Sequence, residues 1–131
     1  MVTRMIHRQH FDLYLASCDK EGGIYHYRMY DNGDLKKCQF VPLDRPMYMA
    51  LSAGKMYVLL RAPFGNSESG LVVCDMDSEG NLSCASEIVS TKGEVAAHLA
   101  IIDRQVYCAN YISGNIVKLP DTIVAHKGMG C

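Results

Sequence analysis

The chain has 131 residues, 49% of them hydrophobic, which is enough for one domain with a packed core. Its 13 Lys+Arg against 14 Asp+Glu leave no basic surplus, which argues against a broad nucleic-acid or anionic-membrane footprint. The apolar runs fall far short of the roughly 20 residues that cross a bilayer, and MVTRMIHRQHFD has no apolar stretch behind its charges, so it is not a secretory signal. In chain order, strands are expected first at 12–18, 23–30 and 35–42, the last two joined through Asp31-Asn32-Gly33-Asp34. GGIYHYRMY, at 22–30, is rich in the tyrosines and branched residues that suit a pleated surface. Next come 47–52 and 55–61 around Ala53-Gly54, then 70–77 and 81–89 around Ser78-Glu79-Gly80. The final group is 97–102, 105–111, 114–119 and 121–126. No long window shows a helical stripe with caps at both ends.

The same pieces recur. Gly23-Ile24-Tyr25 returns 47 positions later as Gly70-Leu71-Val72, and Gly33-Asp34-Leu35 as Gly80-Asn81-Leu82. Ala50-Leu51 and Tyr57 return 50 positions later as Ala100-Ile101 and Tyr107. Four short antiparallel strands in a repeat of this length make a propeller blade. The fold class expected is all-β: a single partial β-propeller domain over 1–131, with blade pieces at 12–42, 46–90 and 97–126. That is between two and three blades, whereas closed propellers typically need about four to eight. The chain therefore reads as part of something longer, or as a subunit that self-associates through exposed blade faces.

Antiparallel connectivity sorts the loops. Taking strands a to d from the hub outward, the d–a and b–c loops emerge at one rim, at 43–46, 62–69, 90–96 and 111–113. The b–c loops differ most in length, as on a binding face built over a constant scaffold. The second rim carries turn formers, including Ser78-Glu79-Gly80 and Asp103-Arg104.

His98 opens an innermost strand at the first rim, where its counterpart one repeat earlier is Tyr48. It reads either as a hub-filling ring or as a base in the channel, since imidazole changes charge near neutral pH. Arg61 ends a b strand on the same rim and Arg45 lies in the adjoining d–a loop. A site that activates water needs a base and a fixed donor for developing negative charge, and a guanidinium fork suits a phosphate or carboxylate. His98 and Arg61 are the catalytic candidates, with Arg45, Asn110 and Glu94 as candidate substrate contacts. Each also has a structural reading: solvated loop charges for Arg45, Arg61 and Glu94, and a loop-closing amide for Asn110.

Other chemistry has little support. His7 and His10 have no third ligand nearby, so no metal is expected. Gly65-Asn66-Ser67-Glu68-Ser69-Gly70 lacks the G-K-[ST] of a phosphate loop, and no cofactor is expected. The six cysteines contain no C-x-x-C pair and read as reduced thiols of a cytoplasmic protein.

The run GEVAAHLAIIDRQVYCANYISGNIVKLP, at 93–120, resembles the lactonase family of seven-bladed propellers, the 6-phosphogluconolactonase-like group. His98, Leu99, Asp103, Arg104, Ala109, Asn110, Tyr111, Ser113 and Gly114 match the family pattern in order. LYLASCDKEGGIYHY (13–27), DRPMYMAL (44–51) and AHKGMG (125–130) are similar to its first blade, its N-P-x-x-L-A-L strand and its H-x-G-x-G step. The family proline before the histidine is Val95 or Ala96 here, and its N-E pair is Arg61-Ala62. The resemblance implies the N-terminal portion of a hydrolase acting on a small lactone or sugar phosphate such as 6-phosphogluconolactone. The related carboxymuconate cyclases imply a cycloisomerase variant. A non-enzymatic binding propeller and an inactive truncated chain are the other readings, because fold alone does not choose function.

Overall fold

Alternating apolar side chains along short strands give sheets with two apolar faces, and three such sheets stack face to face here. The computed structural model describes residues 2–6, 10–119 and 122–125. The first sheet orders β1 (Val2–Ile6), β2 (His10–Ser17), β3 (Gly23–Tyr30) and β4 (Leu35–Pro42), all antiparallel. Strand β1 was not expected; its ladder from Val2↔Leu15 to Ile6↔Phe11 supplies the innermost strand of the first blade. His7 lies outside the described residues, as do 126–130 of the AHKGMG run.

The second sheet runs β5 (Pro46–Ser52), β6 (Lys55–Leu60), β7 (Glu68–Met76), and then two short strands on the same edge of β7. These are β8 (Leu82–Ser83) and β9 (Val89–Glu94). The expected strand over 81–89 is thus broken. Ser86 Oγ accepts from Val73 N at 3.1 Å and donates to Val73 O at 2.8 Å, so a side chain replaces the backbone rungs there. The third sheet orders β10 (Ala96–Ile102), β11 (Gln105–Asn110), β12 (Asn115–Leu119) and β13 (Thr122–Ala125).

Not all the thiols are reduced. Asp75 pairs with Ser83 across the β7–β8 hairpin, so the next rung sets Cys74 opposite Cys84, and the two form a disulfide. Cys18, Cys38 and Cys108 are free. The disulfide removes the support that the cysteines lent to a cytoplasmic setting. Among the described residues no helix is long and apolar enough to cross a membrane.

The strand period of two decides which neighbour each side chain meets. Met49, Met56, Val58, Leu60, Val72 and Cys74 of the second sheet pack with Tyr14 and Ile24 of the first. Their alternates Tyr48, Ala50, Tyr57, Leu59, Leu71 and Val73 pack with Ala96, Leu99, Cys108, Val117 and Leu119 of the third. Each large aliphatic side chain fully buried in these two cores contributes about 1.5–3 kcal/mol.

At the second rim a polar joint ties the first two sheets. Asp77 Oδ1 accepts from the amides of Glu79 and Asn81, both at 2.9 Å, which shapes the turn before β8. Tyr14 Oη donates to Gly80 O at 2.5 Å, and the Tyr14 ring stacks on that of His26. The buried His26 pairs through Nε2 with Asp12 Oδ1 at 2.8 Å and through Nδ1 with Asn81 Oδ1 at 3.0 Å. Arg28 Nη2 donates to Glu79 O at 2.8 Å. Gly80 is required twice over: its φ is +82°, and an added Cβ lies 2.7 Å from Tyr14 Oη.

Gly80→Ala is expected to cost about 1–3 kcal/mol in urea unfolding, from left-handed strain plus this close approach. Burial foremost, with Asp12 second, holds the Tyr14 phenol above its ordinary 10.0. The folded state keeps that proton after the unfolded chain has lost it, so stability falls as pH rises above the ordinary value. Tyr14→Phe is expected to flatten this decline in thermal melts recorded from about pH 9 to pH 11.

Candidate functional site

Loops that leave a sheet lose their backbone ladder, and their N–H and C=O groups must find other partners. At the first rim, side chains provide them. The strap from 91 to 96 runs from the irregular end of β9 through Val95 into the start of β10, and its backbone groups are held one by one. Lys92 N donates to Ser90 Oγ at 2.9 Å, and Lys92 O accepts from Asn115 Nδ2 at 3.2 Å. Glu94 N donates to Ser113 Oγ at 2.8 Å, and Ala96 N to Ser69 Oγ at 3.0 Å. Glu94 O and Val95 O accept from the amides of Ile112 and Tyr111 at 3.2 and 2.8 Å.

Beneath the strap lies a buried neutral network. Thr91 Oγ1 donates to Asn110 Oδ1 at 2.8 Å, and Asn110 Nδ2 donates to Thr91 O at 2.8 Å and Asn115 Oδ1 at 2.9 Å. Asn110 is 2% exposed, so its amide closes the loop from below instead of facing solvent. Gly93 leaves room for it, because a Cβ there lies 2.6 Å from the Asn110 side chain.

Against the strap stands the loop between β6 and β7. A cavity of about 270 Å³ opens between them, lined by Arg45, Arg61, Ala62, Asn66, Ser67, Glu94 and Val95. A second, of about 360 Å³, shares Asn66, Ser67 and Glu94 and adds Glu68, Lys92 and Gly93. The structure thus brings three of the five sequence candidates, Arg45, Arg61 and Glu94, onto one cavity.

Their electrostatic states differ. Arg45 Nε donates to Asp44 Oδ1 at 2.7 Å and Nη2 reaches Asp44 Oδ2 and Ala62 O, each at 3.4 Å, so its charge is largely offset. That hydrogen bond with Asp44 also holds the Arg45 guanidinium above the usual arginine range. Arg61 is exposed and, among the described residues, has no carboxylate within ion-pair reach. Its backbone is fixed instead: Arg61 N donates to Arg45 O at 2.9 Å and Arg61 O accepts from Ser69 Oγ at 2.7 Å.

His98 lines neither cavity. It is exposed on β10, with its ring 4.8 Å from that of Tyr48 on β5. The two repeat counterparts thus meet at the hub edge. Cys108 is no nucleophile, because burial pushes its thiol up to about 12.

Backbone strain gathers at this rim. Among the described residues six non-glycines have positive φ, and Ala53, Asp103 and Arg104 sit in hairpin turns that demand it. The other three, Arg45 (47°), Lys92 (59°) and Val95 (53°), all line the two cavities. Such conformations cost of order 1–3 kcal/mol each, most for a branched residue such as Val95, and they cluster at functional sites. Sequence reasoning missed Asn66, Ser67, Lys92 and the buried Ser69 and Thr91. The signal for Ser69 was present, since Ser69-Gly70 and Ser113-Gly114 precede strand c in consecutive repeats.

A family model described as lactonase, 7-bladed beta-propeller, matches residues 12–123. The chain belongs to this lactonase propeller family. Membership supports a lactonase-like function in general terms, and the described residues form three sheets of the propeller. No curated protein matches the chain.

Thr91→Val keeps the buried volume but removes the donor to Asn110 Oδ1. It is expected to destabilise by about 1–3 kcal/mol in urea unfolding, the cost of a buried polar group left short of a partner. Unchanged stability contradicts the network as described.

Proposed function

We propose that the first rim forms the wall of a site hydrolysing a sugar lactone such as 6-phosphogluconolactone. The observation that carries this reading is a guanidinium without an ion pair among the described residues, Arg61, and a carboxylate, Glu94, lining one cavity of about 270 Å³. Water adds to the lactone carbonyl as a carboxylate or imidazole takes its proton, and the carbonyl π electrons move onto oxygen. Arg61 donates to that oxyanion, whose negative charge exists only after attack, so the contact favours the transition state over the bound substrate. Collapse re-forms the carbonyl and breaks the ring C–O bond, and the released alkoxide regains a proton. One lactone and one water give one hydroxy acid.

Within this scheme Glu94, which lines the same cavity as Arg61, is the base, and His98, in contact with solvent at the hub, exchanges the proton. Arg45, tied to Asp44, orients the substrate as a fixed donor and supplies little net charge. Asn110 contributes from beneath by holding the strap. The ligand is a small lactone or sugar phosphate, and no cofactor takes part in these steps.

Hydrolysis of D-glucono-δ-lactone and 6-phosphogluconolactone, followed by pH-stat above the spontaneous rate, tests the proposal. Arg61→Ala is expected to lower kcat/KM by about 10²-fold, the size of a lost oxyanion donor. Equal rates for wild type and His98→Ala remove His98 from the mechanism. Wild-type protein that binds these lactones without turning them over is a binding propeller, and the enzymatic reading then fails.

A further inference from the structure

Two walls face each other across the smaller cavity, and one buried hydroxyl touches both. Ser69 is fully buried at the start of β7. Its Oγ donates to Arg61 O at 2.7 Å on one wall and accepts from Ala96 N at 3.0 Å on the other. Its own carbonyl lies 3.2 Å from Thr91 Oγ1, which sets it against the Thr91–Asn110 network. The next repeat places Ser113 in the same Ser-Gly step, and Ser113 Oγ accepts from Glu94 N at 2.8 Å. The strap is therefore gripped at Glu94 and Ala96 by equivalent serines of two consecutive blades. The first sheet has Gly22-Gly23 at this step and no such hydroxyl.

We propose that Ser69 is the positioning residue of this site: it sets the separation between the Arg61 wall and the Glu94–Val95 wall. The inference rests on the reading of the cavity as a lactone site, and it adds a residue that touches no substrate. A hydroxyl bonded to two main-chain groups fixes their spacing to within the narrow range of hydrogen-bond lengths. Without it, the left-handed Val95 loses an anchor one residue away. Reacting groups are sensitive to such play, because a displacement of about 1 Å can cost 10²-fold in rate.

The test compares Ser69→Ala with Ser86→Ala. Ser86 performs the same chemistry on the outer edge of the same sheet, bridging Val73 N and O away from both cavities. Both variants are expected to lose a similar few degrees in thermal melting. In D-glucono-δ-lactone hydrolysis, Ser69→Ala is expected to lower kcat by roughly 10-fold or more with KM within about 2-fold, and Ser86→Ala to change neither beyond about 2-fold. Equal kcat losses in the two variants overturn the proposal.

A second readout needs no activity, so it decides the matter even if wild-type protein hydrolyses nothing. Amide hydrogen exchange of the free protein is followed at Arg61 and Tyr111, whose N–H groups bond Arg45 O and Val95 O and not Ser69. Ser69→Ala is expected to speed both by about 10-fold while the β5–β6 ladder is unaffected. Unchanged exchange at the two positions overturns the proposal. If Ser69→Ala loses the native fold, Ser113→Ala, which releases only Glu94 N, is measured the same way, with faster Tyr111 exchange expected and unchanged exchange overturning the grip.

Discussion

A sheet with apolar side chains on both faces cannot stand alone in water, and every other feature of this chain answers to that constraint. The second sheet divides its residues between two neighbours: Val58 and Val72 go one way, Leu59 and Leu71 the other. Apolar burial is non-directional, so it brings sheets together without fixing how they are turned. Orientation comes from polar joints at opposite rims. Asp12, His26 and Tyr14 grip the 77–81 turn at the second rim, and Ser69, Thr91 and Asn110 join the second and third sheets at the first. The candidate site therefore belongs to a joint between sheets, not to any one of them.

The joint at the first rim also explains why strained backbone survives there. Arg45, Lys92 and Val95 take left-handed conformations that their side chains disfavour. Each is held by bonds on both sides: Arg45 N donates to Asp19 O and Arg45 O accepts from Arg61 N, while Val95 is bracketed by Tyr111 and Ser69. A net favourable hydrogen bond contributes about 0.5–1.5 kcal/mol, so two or three are needed to offset one strained residue. The density of side-chain-to-backbone bonds at this rim matches that need.

The strand order was legible because tyrosine, valine and isoleucine alternate between short turn formers, and because the repeat recurs within a few positions. Strand β1 was not, since Val2–Ile6 carries charge among its apolar residues and its pairing depends on a partner beyond a loop. The break in 81–89 escaped for a different reason: a single serine hydroxyl took over the rungs at Val73. The Cys74–Cys84 pairing was readable from the hairpin already drawn around Ser78-Glu79-Gly80, which sets those two positions opposite each other. C-x-x-C spacing does not mark such a pair, because cross-strand partners in a hairpin lie farther apart along the chain. At the site, loop polarity placed Arg45, Arg61 and Glu94 on one rim, and all three line one cavity. His98 is exposed on β10 and Asn110 is buried beneath the strap, a difference that position on a rim does not reveal, because it does not say which way a side chain turns. Buried hydroxyls such as Ser69 are quieter still: serine is ordinary in loops, and only its recurrence before glycine sets it apart.

The disulfide has a further consequence for how the molecule comes apart. Its two cysteines are 10 positions apart in one hairpin, so the link closes a small ring worth about 2.7 kcal/mol in the chain-entropy account. Both ends belong to the second sheet, although Cys74 also packs against Tyr14 and Ile24 of the first. The link is a hem along one margin and no seam between panels. A reductant therefore frees that margin to fray and leaves the register between neighbouring blades, with the cavity wall built on it, where it was.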